Sequence, residues 1–215
     1  MAKGKETITS EKLRFYARAA FVRLDKPKPF EEGADPRWET TFLLDPADER
    51  GKEGIKLVLK TAAAIAKQAY GIVPLRLKQI AARFGMGQAP DPKTKDDDIE
   101  IAFYDGSKKE YDGFDGMFVI PAHNSKMKPA VANRKGVSVE PGEDQFPYSG
   151  AYVYGSITLW AQDNKYGKRI GVNLRGVQYA AKGEPFGAGD IAAEDEFQAL
   201  EDADAAEESF DEEFE

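Results

Sequence analysis

Cysteine is missing from this 215-residue chain, and histidine occurs once, at His123. Without thiols there are no disulfides and no thiolate metal sites, a composition suited to a reducing compartment. A single imidazole restricts histidine acid–base chemistry and leaves no His-rich metal cluster. Long apolar runs are missing as well, and none approaches the roughly 18 residues of a membrane span. The opening Met-Ala-Lys-Gly-Lys-Glu has no apolar stretch of the secretory kind, so nothing argues for export. A phosphate-loop lysine motif and a dinucleotide fingerprint are also absent, and Gly85-Met86-Gly87 is too short to count. His123 has no acid or nucleophile near it in sequence and reads as a loop histidine. These gaps predict a non-enzymatic protein with no cofactor and no metal.

What is present is charge, unevenly placed. The net charge is −8, yet Asp190 to Glu215 holds 13 acids and no Lys or Arg. Removing those 13 from the 38 acids leaves 25 against 30 bases, a body of about +5. A hydrophobic fraction of 41% supports a buried core in that body. The acidic stretch cannot bury enough surface to fold, so residues 190–215 are expected to form a disordered tail. Its Phe210 and Phe214 are suited to anchoring a partner, because rings set among acids fit a basic, apolar pocket. A solubilising tail with incidental rings is the plainer reading.

Along the body, residues 1–10 read as a flexible arm. From Lys12 to Leu24 apolar and polar residues alternate. Leu13, Phe15, Ala17, Ala19 and Phe21 share one face, and Lys12, Arg14, Tyr16 and Arg18 the other, as in a half-buried strand. Trp38 to Leu44 is a second strand. Ile55, Val58, Leu59, Ala62, Ile65, Ala66 and Ala69 form an apolar stripe at helical spacing, predicting one helix from Lys52 to Tyr70 with Gly71 as its stop. Its Lys56, Lys60 and Lys67 read as a solvated face. Ile99–Tyr104 and Met117–Ile120 are short strand candidates, and Lys126–Lys135 is a basic connection. Ala151 to Ala180 reads as a long hairpin turning at Asp163 to Gly167. One face of its first strand carries Tyr152, Tyr154 and Trp160; one face of its second carries Arg169, Asn173, Arg175 and Tyr179. The domain is expected to span 11–189.

A single strand of nucleic acid offers a negative backbone and unpaired flat bases. Binding it without sequence preference takes cations along the phosphates and rings beneath the bases, each stack contributing about 1–3 kcal/mol. Lys12, Arg14, Tyr16 and Arg18, with Tyr152, Tyr154, Trp160, Arg169, Arg175 and Tyr179, supply both kinds of group. Tyrosine also suits the solvent side of strands for structural reasons, and a Trp is commonly buried. Two other classes stay open: a protein-interaction adaptor, and a metal-dependent nuclease using Asp96-Asp97-Asp98, although that run reads as solvated.

The hairpin carries a more specific pattern: Tyr148-Ser149-Gly150, then Trp160-Ala161-Gln162-Asp163-Asn164, Gly167, Ile170, Leu174 and Gly176-Val177-Gln178-Tyr179. With the first strand, Lys26-Pro27-Lys28 and the Trp38–Asp45 strand, it resembles the single-stranded DNA-binding proteins encoded by tailed phages. That resemblance implies a mainly β fold, the oligonucleotide-binding (OB) fold, a five-stranded Greek-key β-barrel with one inserted α-helix and long loops. It further implies single-stranded DNA binding in phage replication, recombination and repair, in the cytoplasm of the bacterial host and away from membranes. The acidic tail would screen the DNA groove and recruit replication and recombination proteins, with the chain a monomer or homodimer. Related tails end on the aromatic residue, whereas here Glu215 follows Phe214.

Overall fold

The computed structural model describes residues 7–29, 31 and 33–186. The strands are β1 (Ile8–Thr9), β2 (Leu13–Lys28), β3 (Arg37–Leu44), β4 (Ile99–Ile101), β5 (Tyr104–Asp105), β6 (Phe118–Asn124), β7 (Ala130–Ala132), β8 (Tyr152–Asn164) and β9 (Gly167–Ala181). Helices α1 (Glu49–Tyr70) and α2 (Leu75–Arg83) lie between β3 and β4. No helix among the described residues is long and apolar enough to cross a membrane.

Five strands close into a ring. β8 pairs with β2, β2 with β3, β3 with β6, and β9 with β8, all antiparallel. The seam between β6 and β9 is parallel and rests on one pair, His123 with Asn173. β4 and β7 add short parallel ladders to β9 on either side of it. This is the expected five-stranded barrel. Phe42, Phe103, Phe118, Ile157, Leu159 and Ile170 fill it, all fully buried. Pro121 sits within β6 and is tolerated there because the strand pairs continuously only with β3.

α1 starts where Asp48 accepts from the Arg50 amide at 2.8 Å and ends at Gly71, whose left-handed φ of 76° suits glycine. It packs on β2, β3 and β8. Gly54 allows the close crossing, since a Cβ there would stand 2.8 Å from Leu44 and 2.9 Å from Phe15.

Several expectations change. Among the described residues there are two α-helices, not one. α2 has Pro74 at its start and no side-chain cap of its own; Asp97 supplies the cap, its carboxylate accepting from the Leu75 amide at 2.7 Å. A cap from 22 residues away leaves no local signature. The supposed arm is partly ordered, because Ile8 and Thr9 pair with Ala161 and Trp160. The Lys126–Lys135 connection contains β7, and the Ile99–Tyr104 candidate is split into β4 and β5. The Met117–Ile120 candidate runs on to Asn124 as β6. The boundary near Gly189 and the acidic tail with Phe210 and Phe214 lie outside the described residues.

Candidate nucleic-acid interface

The alternation of β2 holds through Ala19 and then breaks. Ala20 pairs with Thr41 and Arg23 with Glu39, so Phe21 and Val22 together oppose Thr40 in a β-bulge. Phe21 takes a left-handed φ of 50°, a strained conformation for a large side chain. Its ring, expected in the core, is instead 48% exposed. It meets Tyr111, itself 50% exposed, edge-on at 5.3 Å, and both lean on the buried Phe114.

These rings open a cleft of 430 Å³ across the outer faces of β3 and β6, which Arg23, Arg37, Glu39, Tyr104, Lys109 and His123 also line. Arg23 and Arg37 both bond Glu39, at 2.9 and 2.8 Å, so two cations share one carboxylate. Loss of water around His123, and then the neighbouring Arg37, hold its imidazole below the ordinary value against the pull of Glu39. A second hollow shares Pro121 and His123 with this cleft and continues it to Trp160, Arg169 and Gly171. Arg169 there pairs with Glu100 at 2.8 Å.

The predicted residues therefore fall in separate places. Trp160, which is half-buried, and Arg169 border the second hollow. Arg14, Tyr16, Arg18, Tyr152 and Tyr154 meet on the outer face of β2 and β8. Tyr16 stacks on Tyr152 at 5.7 Å and meets Tyr154 edge-on at 5.5 Å. Arg14 lies over Tyr154 at 4.2 Å and Arg50 over Tyr16 at 3.7 Å, so cations already cover two of the rings. Burial raises the Tyr16 phenol above its ordinary value while Arg50 opposes that rise. Arg18 donates to the carbonyls of Gly150 at 3.1 Å and Glu184 at 2.6 Å, tying the chain after β9 to the loop before β8. Lys12 is exposed just ahead of β2.

A second bulge redirects β9. Ser156 pairs with Gly176 but Ile157 with Leu174, leaving Arg175, which is exposed, as the extra residue. Beyond it the faces exchange, so Gln178 joins Tyr154 outside and bonds Arg14 at 2.7 Å. Tyr179, expected on the binding face, instead packs against the core. Sequence reading missed Phe21, Arg23, Arg37, Tyr104, Lys109, Tyr111 and His123, which are brought together from four segments of the chain.

Among the described residues no group of three or more His, Cys, Asp or Glu is placed to hold a metal. The cleft offers rings, cations and one carboxylate, a set suited to stacking and charge pairing with a flexible polyanion.

Comparison with known proteins gives the family and the fold. The single-stranded DNA-binding protein from bacteriophage Enc34 in complex with ssDNA is similar in structure, with a TM-score of 0.60 and 25% identity over 84% of this chain and 89% of that one. A second structure of that protein gives a TM-score of 0.58 at 24% identity, covering 86% of each chain. "Putative protein p50" of Acyrthosiphon pisum secondary endosymbiont phage 1 is 39% identical over 103 residues, 48% of this chain and about half (54%) of that relative's length. The family described as "Enterobacter phage Enc34, ssDNA-binding protein" matches residues 8–210, and the chain belongs to that family.

Proposed function

We propose that this protein binds single-stranded DNA without sequence preference, laying the strand across the outer faces of β3 and β6. The observation that carries this reading is Phe21. A bulge and a strained backbone turn its ring out of the core into a cleft with Tyr111, Arg23, Arg37 and Lys109. Strain of this kind persists where the surroundings enforce it, and bulges are frequent beside functional sites. The strand would continue past His123 to Trp160 and Arg169. Arg14, Tyr16, Arg18, Tyr152, Tyr154, Arg175 and Lys12 would serve as an accessory surface reached by longer strands. The family supports single-stranded DNA as the ligand.

Such binding would protect and unfold exposed strands during phage replication, recombination and repair in the host cytoplasm. The tail would compete with DNA at low salt and recruit replication proteins through Phe210 and Phe214.

Titration of unlabelled homopolymers against salt tests the reading. Log affinity should fall by about 0.7 per log unit of salt for each phosphate neutralised. Salt-independent affinity, or full affinity after Phe21→Ala with Tyr111→Ala, overturns it. Deleting Asp190–Glu215 should tighten binding at low salt.

A further inference from the structure

The bulge that turns Phe21 outward is held from a distant part of the chain. A bulge leaves its extra residue outside the ladder. The Val22 amide, within that bulge, donates to Oγ of Ser149 at 3.0 Å, across 127 residues of sequence. Ser149 stands in the loop before β8, and its neighbours are pinned to β2 just ahead of the bulge. Gly150 donates to the Ala19 carbonyl at 2.8 Å, and Ala19 to the Ala151 carbonyl at 2.9 Å. The serine hydroxyl therefore has a fixed place beside β2, and the Val22 amide is fixed with it.

The same serine holds a second segment. Its carbonyl accepts from the Phe186 amide at 3.1 Å. Glycines keep the two segments close: a Cβ on Gly150 would overlap the Glu184 carbonyl oxygen, and one on Gly183 the Gly150 carbonyl oxygen. The Tyr148 hydroxyl joins them again, donating to the Gly183 carbonyl at 2.8 Å. The half-buried Phe186 ring lies beneath Arg18 at 4.0 Å and packs on the small cluster of Ala20, Leu43, Phe114 and Val119. It also meets the turn that carries Tyr111. Gly113 in that turn has a φ of 73°, and a Cβ there would stand 2.6 Å from Cε1 of Phe186. Ser149 thus secures the backbone that exposes Phe21, and Phe186 backs the turn that exposes Tyr111.

We propose that Ser149 and Phe186 are positioning residues for single-stranded DNA binding. The serine hydroxyl holds the bulge, the Phe186 ring holds the turn, and Phe21 and Tyr111 meet a base already in place. A ring held before binding contributes its stacking without an ordering cost when the strand arrives. The Tyr148-Ser149-Gly150 stretch, which lies in no strand or helix, thereby acquires a role. This assignment rests on the β3/β6 cleft as the path of the strand.

Two readouts test it. The first needs no DNA. In the free full-length protein the Phe21 and Tyr111 rings, 5.3 Å apart, should show a nuclear Overhauser contact that Ser149→Ala and Phe186→Ala each remove. Ser149→Thr, which keeps the hydroxyl, should retain it. The second is affinity for oligothymidylate. Ser149→Ala should weaken binding about tenfold, because two rings must then be immobilised as the base arrives, and Ser149→Thr should bind as the parent does. In a Phe21→Ala/Tyr111→Ala background, Ser149→Ala should change affinity by less than about twofold, an outcome that general loss of stability would not give. If Ser149→Ala melts below the assay temperature, Phe186→Ala supplies both readouts. An unchanged ring contact in either alanine variant, undiminished affinity in Ser149→Ala, or the same loss in the background lacking both rings overturns the proposal and leaves the path of the strand intact. Full affinity in Phe21→Ala/Tyr111→Ala instead overturns that path, and this assignment with it.

Discussion

The six-membered ring of Trp160 covers the Cα of Gly171, its register partner across the β8–β9 hairpin. A Cβ built on Gly171 would lie 2.0 Å from Cζ2 of the indole and 2.2 Å from Cε2. The glycine thus lets the ring lie against the sheet while its other side borders the hollow shared with His123 and Arg169. Gly171→Ala should lift the indole, at a stability cost of about 1–3 kcal/mol. With Trp38→Phe, Trp160 becomes the one fluorescent indole. Its quenching by oligonucleotide should be strong in the Gly171 protein and weak in Gly171→Ala. Equal quenching in both would remove Trp160 from the path of the strand.

Phe21 separates binding from stability. Phe21→Ala should weaken single-stranded DNA binding by about 1–3 kcal/mol, the worth of one stacked base. Phe21→Gly should bind equally poorly yet unfold at higher denaturant than Phe21→Ala. Glycine accepts the φ of 50° freely, whereas a Cβ costs about 1–2 kcal/mol there. Two variants of equal stability would show that the bulge carries no strain.

His123 reports protonation at the cleft. Loss of water and Arg37 depress its imidazole, so in the free protein it titrates below about 6.5. Phosphates entering the cleft favour the charged ring and should raise that value. Binding then takes up protons, and affinity rises as pH falls through the interval between the free and bound values. Stability of the free protein moves oppositely. The unfolded imidazole binds a proton more readily, so acidification from about 6.5 toward the folded value lowers stability. As the only histidine, its proton resonances can be followed directly with and without oligonucleotide. An unmoved titration curve would place the strand elsewhere.

Glu39 moderates the same cleft by holding Arg23 and Arg37 together. Glu39→Gln removes a negative charge from the path of the phosphates. Affinity at low salt should increase and the salt dependence steepen, with a stability loss of no more than about 1 kcal/mol. Weaker binding instead would mean that the carboxylate is needed to pose the two arginines.

Asp97 gives a control away from the cleft. Asp97→Ala removes the partner of the Leu75 amide at the start of α2 and should cost about 1 kcal/mol of stability. DNA affinity should not change. A change in affinity would show that the Asp96–Asp98 run takes part in binding.

Local pattern was enough to determine much of this protein. Alternation from Leu13 to Ala19 placed β2, a helical stripe from Ile55 to Ala69 placed α1, and turn residues at Asp163–Gly167 placed the β8–β9 hairpin. Those signals arise from residues a few positions apart, where periodicity alone decides which side is buried. The barrel followed from resemblance. The charge asymmetry, basic body against acidic tail, is likewise a property of composition. Tertiary structure decided what alternation cannot. Period two assigns Phe21 to the core and Tyr179 to the outer face, and bulges at Phe21 and at Arg175 reverse these assignments. A bulge is set by pairing with a neighbouring strand, so its signal lies in β3 or β8 and not in the segment that bends. The cleft has the same origin: Phe21, Arg37, Tyr111 and His123 are far apart in the chain, and only closure of β2, β3 and β6 brings them onto one surface.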